Sequence, residues 1–314
     1  MSTHMSVTAP AAVSALVRDG LGNQLFIVVT ALAYARRHGR PALFRRDAAY
    51  GYRAAYWDSL LAFAPVAAPG SPECAVIEAA GRVVHQEAAH SFAEIPAGAD
   101  TLAGFFQSAR YFDAEFAAVA ADLRLGEMRA AVRAKCARAF ASSAPEAPVT
   151  VSLHFRLGDY KWHASHVLRC DYYAAALAAL VGELGAPQLP SAFTQPSGAP
   201  TQQPIRVVYF YELEDQAIID NWLAALRGAF PALEFVAARD CAGALADWEE
   251  MLLMSNCDHH VIANSSFSWW GAYLGAKHSD TKVVCAPRRW FGADAAALER
   301  SRDICPAHWL LVDA

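Results

Sequence analysis

The sequence predicts an α/β protein built on parallel, doubly wound sheet, and three observations carry that prediction. Short apolar runs alternate with amphipathic helical segments throughout the second half of the chain. The first half opens on a strand, a tight glycine turn and a helix, the start of a similar unit. The length, 314 residues of which 55% are hydrophobic, suits one large or two modest domains with ample material for cores. Much of that hydrophobic share is alanine, which favours helices more than it fills cores.

Residues 12–18 (AVSALVR) read as a short buried strand, and DGLGNQ at 19–24 reads as the turn after it. Helical spacing follows over 25–35; Gly39 stops the helix and PALF at 41–44 restarts extended chain. Residues 50–112 are irregular and aromatic-rich, 114–140 are helical, and ASSAPEAP at 141–148 is a linker. The linker divides the chain into domains 1–147 and 148–314. In the second domain the predicted strands are VTVSLHF (149–155), RVVYFYE (206–212), LEFVAA (233–238), HHVIA (259–263) and KVVCAP (282–287). The helices between them cover 171–185, 215–230, 247–257 and 264–275. The proline-rich stretch 186–204 reads as a surface insertion without chemistry.

Composition excludes several classes of function. The longest apolar run, 25–35, is well short of the about 20 residues that span a bilayer. The first ten residues show no secretory pattern, which points to the cytosol. Seven scattered cysteines, never spaced as CxxC, argue against a disulfide framework or a structural zinc. Acidic and basic residues, 31 against 26, are interspersed without a basic cluster, which argues against a nucleic-acid surface.

Three polar constellations fall at the carboxyl ends of predicted strands, where open α/β sheets bind ligands. The first is Gly20-Leu21-Gly22-Asn23-Gln24, where two glycines let a ligand approach the backbone at a helix start. It reads equally as a plain turn with Asn23 as helix cap. The second is His154 to Tyr160, HFRLGDY: an arginine fork suited to phosphate, a histidine beside it, and Asp159 to accept a proton or orient a hydroxyl. A buried Arg–Asp pair and a core histidine are the plain alternative. The third is Asn264-Ser265-Ser266-Phe267, a small polar helix start that would cradle phosphate, followed by Trp269 and Trp270, which read as core. His259 and His260 point to opposite faces of a strand and do not share a metal; His163 and His166 lack a third ligand. No Asp-x-Asp stands at a strand end, so no metal site is expected.

Together these segments resemble the α-1,2-fucosyltransferase family, glycosyltransferase family 11. The family's GGLGNQMF-like start is DGLGNQLF here, with Asp19 for the first glycine; its HxRRGDY is HFRLGDY, with Leu157 for the second arginine. Its late signature, close to EDMxLMSxCxHxIxANSSFSWWGAYL, matches residues 249–274 almost throughout, and Pro287, Trp290, Pro306 and Trp309 resemble its tail. An acidic segment close to SDD is replaced by residues 211–215, YELED.

The resemblance implies a GT-B architecture, two Rossmann-like domains facing across a cleft, with the nucleotide on the C-terminal side and the acceptor on the N-terminal side. It implies fucose transfer from GDP-β-L-fucose to the 2-hydroxyl of a galactose-containing acceptor, inverting, with no metal or cofactor. Arg156 would meet the diphosphate and His154 the nucleotide. Ser265, Ser266 and Phe267 would meet phosphates and fucose, while Gly22, Asn23 and Gln24 close the donor site; Gly20 and Asn264 are further substrate-binding residues. Asp159 is the candidate base. Transfer to another acceptor position, use of another GDP-sugar, or a binding protein with a vestigial nucleotide site are the competing readings. Animal members have an N-terminal membrane anchor; this chain starts its fold within about twelve residues, like the soluble bacterial form.

Overall fold

The computed structural model describes residues 11–46, 55–79, 81–88, 91–141, 147–162, 167–185, 203–276, 281–292 and 294–313, without the side chains of Asp159, Trp162, Ala242 and Ala276. His163, His166, residues 186–202 of the expected insertion, 142–146 of the expected linker and 50–54 of the aromatic-rich region lie outside the described residues.

Contacts divide the chain into two units, residues 1–126 and 127–314. The first unit runs β1 (Ser14–Ala15), α1 (Leu21–Arg37), β2 (Phe44–Arg45), β3 (Val66–Ala67), α2 (Pro72–Glu78), β4 (Val84–Gln86), β5 (Thr101–Ala103) and α3 (Phe116–Asp122). β5 lies between β1 and β4, and β2 pairs with β3, all in parallel. A parallel bridge from Val13 to Ala42 brings the two pieces side by side in the order β3-β2-β1-β5-β4. The row therefore reverses direction between β1 and β5. The glycine turn opens α1 one residue after Gly20, so Asn23 sits inside the first helical turn and is not its cap. Thirteen of the seventeen α1 residues are buried, which explains the apolar run read from sequence.

The helical stretch 114–140 is broken, not continuous. Arg124 adopts φ +52°, a left-handed residue that ends α3 before α4 (Leu125–Lys135) and α5 (Ala137–Phe140). Division after residue 126, ahead of the compositional linker, has a physical cause. Arg129 and Arg133 of α4 donate to the carbonyls of Ser255 and Asn256, 2.9 and 3.1 Å away, and Lys135 pairs with Glu249 at 2.6 Å. Cations there satisfy carbonyls that a helix end leaves without partners.

The second unit continues with β6 (Val149–His154), α6 (Cys170–Glu183), β7 (Ile205–Phe210), α7 (Gln216–Ala229), β8 (Leu233–Ala237), α8 (Ala238–Ala242), α9 (Asp247–Ser255), β9 (His259–Val261), α10 (Ser266–Ala276), β10 (Val284–Pro287), α11 (Ala295–Ser301) and β11 (Leu310–Val312). Its six strands are all parallel in the order β8-β7-β6-β9-β10-β11, a doubly wound sheet that reverses between β6 and β9. The expected α/β class holds, and α8, α11 and β11 are additions to the elements read from sequence.

Alternation along β6 sorts its side chains. Val151 and Leu153, with Phe155 just beyond, join Tyr173, Leu177 and Leu223 in the core under α6 and α7. Ser152 and His154 turn to the other face, where Ser152 Oγ lies 2.8 Å from His260 Nδ1 and His154 meets Phe267 of α10. Trp269 and Trp270 are fully buried, and Trp269 stacks on Tyr273 with ring centroids 4.6 Å apart. All seven cysteines carry free thiols. No helix among the described residues is long and apolar enough to cross a membrane.

Two glycines of α10 allow its approach to α9. A Cβ on Gly271 would lie 2.8 Å from Met254 Cβ, and one on Gly275 would lie 2.7 Å from His260 Nε2 and 2.8 Å from the Ser255 carbonyl. Gly182 of α6 faces open space. Urea denaturation should therefore show Gly275→Ala destabilising by about 1–3 kcal/mol through overpacking. Gly182→Ala should stabilise by roughly 0.5–1 kcal/mol, since alanine restricts the unfolded chain at no steric cost. Equal effects at the two positions would contradict this packing.

Candidate functional site

The reversal between β6 and β9 places their two strand ends together, and the second and third constellations stand on those ends. His154 closes β6 and is buried, 7% exposed, with its ring 5.6 Å from that of Phe267. Burial first, and the nearby Arg156 charge second, push its pKa down from 6.5 to about 3. The imidazole is therefore neutral at ordinary pH. Its Nδ1 is buried with no hydrogen-bond partner among the described residues.

Two residues on, Arg156 is half-buried, with its guanidinium 5.2 Å above the ring of Tyr160 and in an ion pair with Glu212. The Glu212 side chain is 43% exposed. The Arg156 side chain is only 16% exposed, so the water-facing carboxylate is the partner that an incoming phosphate group would replace. Leu157 is buried in the core beside Phe155, which accounts for an apolar residue where the resembled family has arginine.

The turn over residues 158–162 is held from the end of β7. Asp215, 2% exposed, accepts from the Gly158 N–H at 2.9 Å and from Lys161 Nζ at 2.5 Å. That bond to Asp215 is the main cause of a raised Lys161 pKa. Gly158 has φ +36°, and a Cβ there would come within 3.0 Å of Glu212 Oε2. Asp159 belongs to this turn, but its side chain lies outside the described residues. Tyr160 bridges the two constellations, its hydroxyl donating to the Asn264 carbonyl at 3.1 Å.

Asn264 is buried and donates through Nδ2 to the Trp290 carbonyl at 3.1 Å. Ser265 precedes α10 and gives its carbonyl to the Trp269 N–H at 2.9 Å, so it occupies the cap position. Ser266 and Phe267, half-buried, form the first helical turn. N–H groups of that turn have no partner inside the helix and carry the positive end of its dipole. A neutral imidazole, one guanidinium, a hydroxyl and a helix start therefore share one strand-end region. This set suits an anion flanked by a planar or sugar group.

Sequence reasoning missed Asp215, Glu212 and Tyr160 as organisers of this site. The acidic run 211–215 was visible, but only the fold shows that its last member is buried under Gly158. His259 Nδ1 accepts from the Val283 N–H at 3.0 Å, and no cluster of three potential metal ligands occurs among the described residues.

Gly20, Gly22, Asn23 and Gln24 form a separate group in the first unit. Gln24 is 1% exposed, donates to the Asp19 carbonyl at 2.8 Å and accepts from the Tyr56 N–H at 3.2 Å, so its amide staples the turn. Asp19 has φ +64°, which explains a glycine there in the resembled family and the tolerance of aspartate, which enters this region more readily than most residues. Asn23 is half-buried and accepts at Oδ1 from Gln107 Nε2, 2.7 Å away.

Residues 236–311 match the model of glycosyl transferase family 11. An alpha-1,2-colitosyltransferase of Escherichia coli is 45% identical over 64 residues, 20% of each chain. The O-antigen biosynthesis glycosyltransferase WbnK of Escherichia coli is 30% identical over 150 residues, 46% of this chain and 40% of that one. The matches thus span about a fifth and two fifths of the length of these curated relatives. Among solved structures, fucosyltransferase NodZ from Bradyrhizobium is 15% identical with a TM-score of 0.41, covering 84% of this chain and 92% of that one. A mutant of Arabidopsis thaliana FUT1 in complex with GDP is 11% identical with a TM-score of 0.48, covering 84% and 69%.

The unfolded chain takes up a proton at His154 below about pH 6.5, whereas the folded chain does so only near 3. Stability is full above pH 6.5 and falls as pH drops towards 3; His260, pushed down mainly by its own burial, acts in the same direction. Urea midpoints should fall over that window, and less steeply in His154→Asn. In NMR the His154 ring signals should not titrate between about pH 8 and 5. A midpoint near pH 6.5 would contradict a buried neutral ring.

Proposed function

We propose that this chain, whose residues 236–311 match the model of glycosyl transferase family 11, moves L-fucose from GDP-β-L-fucose to the 2-hydroxyl of a galactoside. The observation that carries the reading is the meeting of His154, Arg156 and the start of α10 at the sheet reversal of the second unit. Open α/β sheets bind ligands at such points. The acceptor is a galactose-containing oligosaccharide, and neither metal nor cofactor takes part.

In this reaction the acceptor oxygen attacks the anomeric carbon on the face opposite GDP. A new carbon–oxygen bond forms, the bond to the diphosphate breaks, and GDP leaves with the electron pair. The β donor then gives an α product. Charge grows on the departing diphosphate, so groups aimed at it lower the barrier. Arg156 exchanges the Glu212 carboxylate for a diphosphate oxygen, while the Ser266 region of α10 supplies N–H and hydroxyl donors. His154, uncharged, hydrogen-bonds the nucleotide. Ser265 and Asn264 fix the start of α10, and Phe267 packs beside the imidazole. Asp159 is the candidate to take the hydroxyl proton. Gly20, Gly22, Asn23 and Gln24 are assigned to substrate binding through the resemblance of their motif.

The E. coli relative named as an alpha-1,2-colitosyltransferase supports the linkage and favours one other reading, transfer of colitose. Colitose is fucose without its 3-hydroxyl. Incubation with GDP-fucose or GDP-colitose and a panel of β-galactosides, followed by linkage analysis, separates the two. GDP-fucose should give α-1,2 product, with activity surviving EDTA. Arg156→Ala should lower kcat/KM by about 10²–10³, the usual loss when one group that stabilises transition-state charge is removed. Strict dependence on added metal, or unchanged turnover in Arg156→Ala, would overturn the mechanism.

A further inference from the structure

We infer that Gln107, which lies outside every motif that resembles the family, is a positioning residue that sets which end of the Asn23 amide faces a ligand. In the first unit the sheet reverses between β1 and β5. Asn23 follows the carboxyl end of β1 and Gln107 the carboxyl end of β5, the place where such a sheet receives a ligand. Gln107 Nε2 donates to Asn23 Oδ1 at 2.7 Å, and Gln107 Oε1 is buried without a hydrogen-bond partner among the described residues. The donor in this pair is the Gln107 NH2 group and the acceptor is the Asn23 oxygen. The direction is therefore set: the Asn23 oxygen turns inward, and its NH2 group is kept as a donor for a ligand oxygen.

The backbone holding Gln107 is rigid for a readable reason. Phe106 is fully buried in the left-handed region at φ +52°, a conformation that needs support. Glu87 supplies it, accepting from the Phe105 N–H at 2.6 Å and the Phe106 N–H at 3.0 Å. A Cβ on Gly104 would lie 2.4 Å from Glu87 Cβ, so only glycine leaves room for this clamp. The Arg18 guanidinium closes over the Phe105 ring at 4.5 Å.

Resting on the glycosyltransferase reading for its assay, the test compares two nearly isosteric variants. Gln107→Met removes the donor. Gln107→Glu offers only acceptor oxygens, so Asn23 must turn its NH2 inward and present a carbonyl oxygen. The expected order of kcat/KM is wild type, then Met, then Glu, with Glu down about tenfold or more. In the Asn23→Ala background the Glu substitution should change kcat/KM by less than about twofold, because nothing is left to orient. Whether the loss falls in KM for GDP-fucose or for the galactoside assigns the ligand oxygen to donor or acceptor. Independently of turnover, the Asn23 side-chain amide protons should exchange with water faster in the wild type than in Gln107→Glu.

A tenfold loss that persists without the Asn23 amide, losses in Met and Glu that simply follow melting temperature, or unaltered Asn23 amide exchange would overturn the assignment. Lack of wild-type turnover with GDP-fucose would sink the enzymatic reading alone; the amide-exchange measurement would still decide the role of Gln107.

Discussion

One buried carboxylate organises the candidate site of the second unit. Asp215 accepts the Gly158 N–H and the Lys161 ammonium and ties the loop after β6 to the loop after β7. Gly158 takes its left-handed conformation under this hold, Arg156 emerges just before it, and Tyr160 reaches across to Asn264 just after it. Removing one partner of a buried charge is expensive, because the charge left behind has no water to replace the bond. The turn carrying Arg156 is thus fixed from beneath, while its guanidinium is held by Glu212, a partner more easily exchanged.

Around that turn the protein separates charge from polarity. His154 is two residues from Arg156 on the same chain, yet burial keeps the imidazole neutral and leaves the guanidinium as the charged member of the pair. The start of α10 adds donors of fixed direction without adding a charge of its own. Such a region can receive a strongly anionic group while keeping a neutral hydrogen-bonding surface beside it. The alternation of β6 produces this arrangement, since Val151, Leu153 and Phe155, which alternate with Ser152 and His154, are spent on the opposite core.

Much of this was legible in the sequence. The parallel α/β class followed from alternating apolar runs, and β6 and β9 were placed to within a residue or two. Trp269 and Trp270 were rightly read as core, which left Ser266 and Phe267 for the site. The rest depends on contacts distant in the chain. Composition puts the boundary at the proline-containing linker, but the bonds from Arg129 and Arg133 to the end of α9 attach α4 to the second unit, across more than a hundred residues. Asn23 resembled a helix cap until the helix proved to begin before it. Asp215 and Gln107 look like ordinary polar residues in sequence, because burial under Gly158 and pairing with Asn23 are invisible without the fold.

If a nucleoside diphosphate seats where β6 and β9 end, GDP will change backbone amide hydrogen exchange there, on the wild-type chain and without an acceptor. Added protection is expected at residues 155–160 and 264–268, with little change at the opposite end of that sheet. Protection absent from both segments at saturating GDP, or found only elsewhere in the chain, would contradict this placement.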